Sequence, residues 1–258
     1  MKVVLFCGGL GTRLREYSDT IPKPLANIGY RPILWHLMKY YAHYGHTDFI
    51  LCLGYRGDLI KEFFINYNEC MSNDFLMTDG GKTIKLINSD IDHWRISFVD
   101  TGLNSNIGQR LKAVERYVEG EEIFLANYTD GLTDLPLADY VSGFRNTKAV
   151  ASFLSVRPSQ TFHSVRVDDK GYVRDIRQVQ ETDFRINGGF FALRKDIFGY
   201  LRDGEELVEQ PFQRLISEQR LMAVRYDGFW AAMDTFKDKL NFDNMYARGE
   251  TPWAVWKK

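Results

Sequence analysis

The sequence predicts an α/β fold built as a Rossmann-like, mostly parallel sheet flanked by helices, with β-hairpin insertions. Three observations lead there. Short runs of β-formers alternate with segments of helical spacing as far as Val156; the first run ends in a glycine-rich loop; and two stretches interrupt the alternation with turn signals of their own. At 258 residues the chain exceeds the usual compact domain, yet α/β cores of this length commonly form one unit, so a single domain with insertions is expected.

Val3-Val4-Leu5-Phe6 reads as a buried strand feeding Gly8-Gly9-Leu10-Gly11-Thr12-Arg13. Pro32 then opens a helix with Ile33, Leu34, Leu37, Met38 and Tyr41 at helical spacing, and Gly45 stops it. Phe49 to Leu53 is a second buried strand and Asp58 to Tyr67 a second helix. The alternation continues through a strand at Ile96 to Val99, a helix at Ile107 to Val118, a strand at Ile123 to Ala126, a helix at Leu137 to Arg145 and a strand at Ala149 to Val156. Such a sheet gathers ligands at the carboxyl ends of its strands, where both the glycine loop and Asp130 fall. Cys70 to Trp94, around Gly80-Gly81, and Val165 to Ile176, around Asp169-Lys170-Gly171, read as hairpin excursions that cover a site or form a subunit contact.

Composition narrows the function. Hydrophobic residues at 45% and charged residues at 26% are those of a chain folded throughout. A net charge of -1 supplies no general field, so neither nucleic acid nor membrane is expected as a partner, and any phosphate site must come from local Arg and Lys. Cys7, Cys52 and Cys70 show no CxxC spacing and read as reduced, buried thiols. Met1 to Cys7 lacks the apolar length and cleavage site of a signal peptide, and no later run is long enough to cross a bilayer. The expected compartment is the cytoplasm. His43 and His46 flank Gly45 at a helix end without a carboxylate or thiolate cluster, which reads as a solvated terminus instead of zinc.

The most informative segment is Gly8-Gly9-Leu10-Gly11-Thr12-Arg13-Leu14 with Pro22-Lys23-Pro24 downstream. A Walker A loop requires Lys-Ser/Thr after its last glycine, and none follows. A dinucleotide fingerprint would require glycine where Leu14 stands, which argues against an NAD-dependent dehydrogenase. What remains is a loop whose backbone N–H groups can approach phosphates, with Arg13 and Lys23 to neutralise charge.

Joined to further segments, this motif resembles the sugar-phosphate nucleotidyltransferases. Pro32 to Lys39 (PILWHLMK), Phe98 to Gly102 (FVDTG), Gly108 to Lys112 (GQRLK), Asn187 to Phe191 (NGGFF), Asp227 to Asp234 (DGFWAAMD) and Pro252 to Trp256 (PWAVW) are similar to the glucose-1-phosphate cytidylyltransferase branch. The resemblance implies that Gly8, Gly9, Gly11, Thr12, Arg13 and Lys23 hold the triphosphate of CTP and that Arg110 adds a positive contact to it. It implies Asp130 and Asp234 as ligands of Mg²⁺, with Arg13, Lys23 and Asp130 at the reaction centre. It also implies a nucleotide-binding half (1–150), an acceptor-binding half with a C-terminal helical region (151–258), and a homo-oligomer.

The chemistry suits that residue set. An incoming phosphate oxygen must reach the α-phosphorus while both partners are anionic, so charge neutralisation is the chief requirement. A metal held by one or two Asp, with Arg and Lys nearby, meets it, and no side-chain nucleophile is needed. Taken singly, Asp130 before Gly131 reads as a turn residue and Asp234 before Thr235 as a helix cap; the matching contexts favour the metal role for both.

The acceptor side departs from the family. Its members carry Glu-Lys-Pro before the Asn-Gly-Gly segment, where this chain reads Gln178-Val179-Gln180, and a Gly-Arg-Phe-Gly turn, where it reads Gln160-Thr161-Phe162-His163. Acceptor binding is accordingly expected from Asn187, Gly188 and Gln178. One of Arg166, Arg174, Arg177 and Arg185, foremost Arg185, replaces the lysine as the phosphate grip. The same reaction with UTP, dTTP or GTP and a catalytically silent nucleotide-binding homologue are the alternatives.

Overall fold

Strand β1 (Lys2–Phe6) is buried from Val3 onward and lies between two parallel neighbours in the main sheet. The computed structural model describes residues 1–9, 21–159 and 162–257; the expectations placed on Gly11, Thr12 and Arg13, and on Gln160 and Thr161, lie outside the described residues. Lys23, between two prolines of fixed φ, opens a 3-10 turn (Lys23–Leu25) that leads into the small ladder β2 (Asn27–Ile28) and β3 (Arg31–Pro32). Helix α1 (Ile33–His43) begins directly after Pro32 and buries Ile33, Leu34, Leu37, Met38 and Tyr41, the residues its spacing singles out. There follow β4 (Asp48–Leu53), α2 (Gly57–Ile65), the hairpin β5 (Phe75–Thr78) and β6 (Thr83–Leu86), and β7 (Arg95–Asp100).

Helix α3 spans Ile107–Ala113, shorter than expected, and a separate 3-10 turn takes Glu115–Tyr117. The Val114 N–H already turns back to the Leu111 carbonyl at 3.2 Å, and β-branched Val114 and Val118 give a continued α-helix little support. The chain continues with β8 (Ile123–Tyr128), β9 (Gly131–Thr133), α4 (Leu137–Arg145) and β10 (Ala151–Val156). A second hairpin, β11 (His163–Val167) with β12 (Val173–Gln178), confirms the second excursion. Then come β13 (Ile186–Asn187), β14 (Phe191–Arg194), α5 (Gln210–Ser217), β15 (Leu221–Tyr226), β16 (Trp230–Ala232) and α6 (Phe236–Ala247).

The main sheet runs β15-β10-β13/β14-β8-β1-β4-β7, and only β13/β14 opposes the rest. Alternate residues of β1 serve two cores. Val3 and Leu5 pack with α1, α4 and α6, whereas Val4 and Phe6 pack with α3 and α5. β13 and β14 are two parts of one path along β10, broken where Gly189 (φ 72°) and Phe190 (φ 53°) enter the left-handed region. Asn127 on β8 holds the break by accepting the Phe190 N–H at 2.8 Å.

Cys7 and Cys52 are buried as expected, but Cys70 is exposed, because it falls on a 3-10 turn (Glu69–Met71) at the base of the first excursion and not in a strand. None of the described helices is long and apolar enough to cross a membrane.

Candidate functional site

The parallel strands deliver their carboxyl ends to one edge, and there three sequence-distant groups meet. The Lys23 ammonium donates to Asp130 Oδ2 at 2.7 Å and to Asp234 Oδ1 at 2.8 Å. All three side chains are partly buried, at 16%, 29% and 28% exposure, which leaves the charges reachable but shielded from full screening. Burial alone would lower the Lys23 pKa, but the charges and hydrogen bonds of Asp130 and Asp234 outweigh it and raise the value, so the amine is held as ammonium.

A small clip brings the two acids together. Asp130 follows β8 and Asp234 follows β16, and β16 pairs antiparallel with β9, Ala232 opposite Gly131. The Met233 N–H donates to the Asp130 carbonyl at 2.8 Å, fixing the two backbones side by side. At the other end of the clip, Asp134 Oδ1 accepts from the Phe229 N–H at 2.8 Å and from the Tyr226 hydroxyl. Thr235 caps α6 through a capping box with Asp238, whose Oδ2 also accepts the Asp234 N–H at 3.1 Å.

Lys23, Asp130 and Asp234 open onto a cleft of about 270 Å³ lined also by Cys7, Gly9, Pro24, Ile107 and Tyr128. Gly9 lines the cleft and is exposed. Arg110 is placed differently from a surface phosphate contact: it is 2% exposed and packs against Gly8. Its guanidinium donates to the carbonyls of Gly8 at 2.8 Å, Leu53 at 3.0 Å and Leu103 at 3.3 Å and to Thr101 Oγ1 at 2.7 Å. A Cβ on Gly8 would stand 2.1 Å from Arg110 Nη1, so a side chain there would have to push the guanidinium off these acceptors.

Of the acceptor-side residues, Asn187 is exposed at the same edge, its Oδ1 accepting the Gly189 N–H at 2.9 Å. Gly188 lies between Val156 and Trp230, and its carbonyl accepts the Trp230 indole N–H at 2.9 Å. Gln178 is exposed at the end of β12, on the hairpin, apart from the acid pair. Arg185 is already engaged: it donates to the carbonyls of Ser155 at 2.9 Å and Tyr226 at 3.3 Å and pairs with Asp227. Any ligand anion at Arg185 must compete with that carboxylate.

Tyr128 joins the two sides and was not singled out by sequence reasoning, because a tyrosine ending an apolar strand reads as core. Its hydroxyl faces Asn187, and burial, then the charges of Glu206 and Asp130, hold its pKa above the usual value. The available signal was its position two residues before Asp130, on the same face of an extended chain. Glu206 was missed as well. Its carboxylate accepts the N–H groups of Ile107 at 3.2 Å and Leu207 at 3.0 Å, and burial raises its pKa.

Among the described residues no group of three or more His, Cys, Asp or Glu is arranged to hold a metal ion. Two carboxylates converging on one cation is nevertheless a donor set that suits Mg²⁺, which is commonly bound by one or two carboxylates together with waters and substrate phosphates.

No family model matches the chain. Individual relatives do. The chain is 37% identical over 259 residues to the glucose-1-phosphate cytidylyltransferase of Salmonella typhi, spanning 99% of this chain and 100% of that protein. It is 27% identical over 246 residues to the D-glycero-alpha-D-manno-heptose 1-phosphate guanylyltransferase of Campylobacter jejuni, spanning 94% and 98%. Among solved structures, a UDP-glucose pyrophosphorylase complexed with UDP-glucose shares the fold, with a TM-score of 0.70 at 16% identity over 96% of this chain and 98% of that one. With a full-length relative at this identity, the chain belongs to the glucose-1-phosphate cytidylyltransferase family of sugar-phosphate nucleotidyltransferases.

Proposed function

We propose that this protein transfers CMP from CTP to a sugar phosphate or related phosphorylated acceptor, giving a CDP-sugar and pyrophosphate with Mg²⁺ as cofactor. The observation that carries the reading is the meeting of Lys23, Asp130 and Asp234 in a cleft that Gly9 also lines, in a chain with full-length cytidylyltransferase relatives. The acceptor phosphate oxygen forms a bond to the α-phosphorus as the bond to the β-phosphate bridging oxygen breaks, and the electron pair leaves with pyrophosphate. Gly8, Gly9, Gly11, Thr12, Arg13 and Lys23 hold the triphosphate, and Arg110 keeps the Gly8 backbone in place from below. Asp130 and Asp234 would hold Mg²⁺, which when bound supplies charge neutralisation on the phosphates. Asn187, Gly188, Arg185 and Gln178 form the acceptor side, so that residues 1–150 bind nucleotide and 151–258 the acceptor.

In the same reading the protein is a cytoplasmic homo-oligomer; the buried, unpaired Cys7 and Cys52 agree with a reducing compartment. A second reading keeps the chemistry and changes the base, and the guanylyltransferase relative is what favours it. Pyrophosphate release with CTP, UTP, dTTP and GTP against a panel of sugar phosphates tests both. We expect Mg²⁺-dependent turnover that is highest with CTP, and Asp130→Asn or Asp234→Asn should each lower kcat/KM by about 100-fold or more. A protein with no Mg²⁺-dependent affinity for any of the four nucleotides would refute the proposal.

A further inference from the structure

Three charged residues meet at the sheet edge that carries Asp130 and Asn187. Arg157 follows β10, Asp227 follows β15, and Arg185 precedes β13, which runs against both. Asp227 Oδ1 accepts from Arg185 Nη2 and, at 3.3 Å, from Arg157 Nε. Arg185 is fixed further by the Ser155 and Tyr226 carbonyls, and Arg157 Nη1 by the Gln180 carbonyl at 2.6 Å. Two guanidinium groups thus share one carboxylate, leaving an excess positive charge. The arginines of the neighbouring hairpin differ: Arg174 pairs with Asp168 and Arg177 with Asp175, one acid each.

The exposures run opposite to those of a structural ion pair. Arg185 is 10% exposed and rigidly held, Arg157 is 43% exposed, and the acid between them is 64% exposed. A buried cation paired to a solvent-facing acid is a preformed anion seat whose present occupant can swing out at low cost. The base of the turn is anchored independently, since the Tyr226 hydroxyl and the Phe229 N–H both bind Asp134, so the Asp227 side chain can leave without unravelling the clip.

We propose that Arg157 and Arg185 form an oxyanion subsite for the acceptor, and that Asp227 occupies this subsite until an acceptor phosphate or second acidic group displaces it. The proposal rests on the transferase reading above and deepens its acceptor side. It gives the chain a replacement for the family lysine missing at Gln178-Val179-Gln180, with two cations in place of one. A phosphate dianion outcompetes a single carboxylate because it carries more charge and three acceptor oxygens to engage both forks.

The test is calorimetric binding of inorganic phosphate, glucose 1-phosphate and glucose 1,6-bisphosphate to protein saturated with a non-transferable CTP analogue. Arg157→Gln should weaken phosphate binding at least tenfold and Asp227→Asn should strengthen it about tenfold, with the affinity for the analogue unchanged in both. If the subsite takes the attacking phosphate, R157Q weakens both sugar phosphates equally; if it takes a second anion, only the bisphosphate suffers. Either pattern supports the subsite. Wild-type phosphate affinity in R157Q, or weaker phosphate binding in D227N, overturns it and leaves the cluster as a strut. Should the wild-type protein fail to bind the analogue, the transferase reading falls, and the same comparison of variants with inorganic phosphate alone still decides the subsite.

Discussion

His36 shows how a single buried side chain sets a pH limit. Its Nε2 is 3.0 Å from the Ile28 carbonyl and its Nδ1 accepts the Trp253 indole N–H at 3.4 Å, an arrangement that requires the neutral ring with its proton on Nε2. Burial pushes its pKa down to about 4, with the Lys257 charge acting in the same direction against the backbone acceptors. In the unfolded chain the group titrates near about 6.5, so the unfolded state takes up a proton that the native state refuses. Stability is therefore undiminished above that value and falls as pH drops from about 6.5 toward 4, by about 3 kcal/mol in all. Urea denaturation at pH 7.5 and 4.5 should show His36→Asn, although weaker at neutral pH, losing about 2 to 3 kcal/mol less than wild type over that interval; equal losses would remove His36 as the cause.

Among the elements, the seam between β8 and β13/β14 connects packing to the site. A Cβ on Gly189 would stand 2.4 Å from Asn127 Oδ1, and the positive φ opposes any L side chain. Gly189→Ala should cost about 2 kcal/mol by combined strain and overpacking, read as a lower urea midpoint with an unchanged slope. The main-sheet strands and the helices as far as β10 were legible because burial on both sheet faces makes short apolar runs, and α1 and α4 carry their period openly; β13 to β16, α5 and α6 were not placed individually. The end of α3 was not, since residues of weak helix propensity leave its last turn to tertiary contacts. Asp130 and Asp234 could be named only through the resemblance of their surroundings to a known family, and their meeting depends on the β9 and β16 pairing, which local sequence does not encode. For the same reason Arg185 could be placed near the acceptor, while its engagement by Asp227 could not.

For the molecule as a whole, the first excursion leaves one face uncovered. Met77 pairs with Ile84 and Phe75 with Leu86 across the hairpin, and Met77 and Ile84 are each 60% exposed. An apolar face of this kind is an interaction surface by default, and the proposed homo-oligomer is the occupant it favours. Met77→Asp combined with Ile84→Asp should shift the mass measured by light scattering toward the 30.0 kDa of one chain. A wild-type protein already at that mass would end the oligomer proposal. Because no core residue is touched, the far-ultraviolet circular dichroism should be retained.

The bridge from Lys23 to both acids has a consequence for how this pocket is made. Two like charges, one from the middle of the chain and one from near its carboxyl end, would resist assembly if left facing one another, yet here the polypeptide brings its own counter-ion to the meeting. Under the proposed function, the ammonium would keep the two acids together before any divalent ion binds, so that assembly of this pocket would not wait on metal.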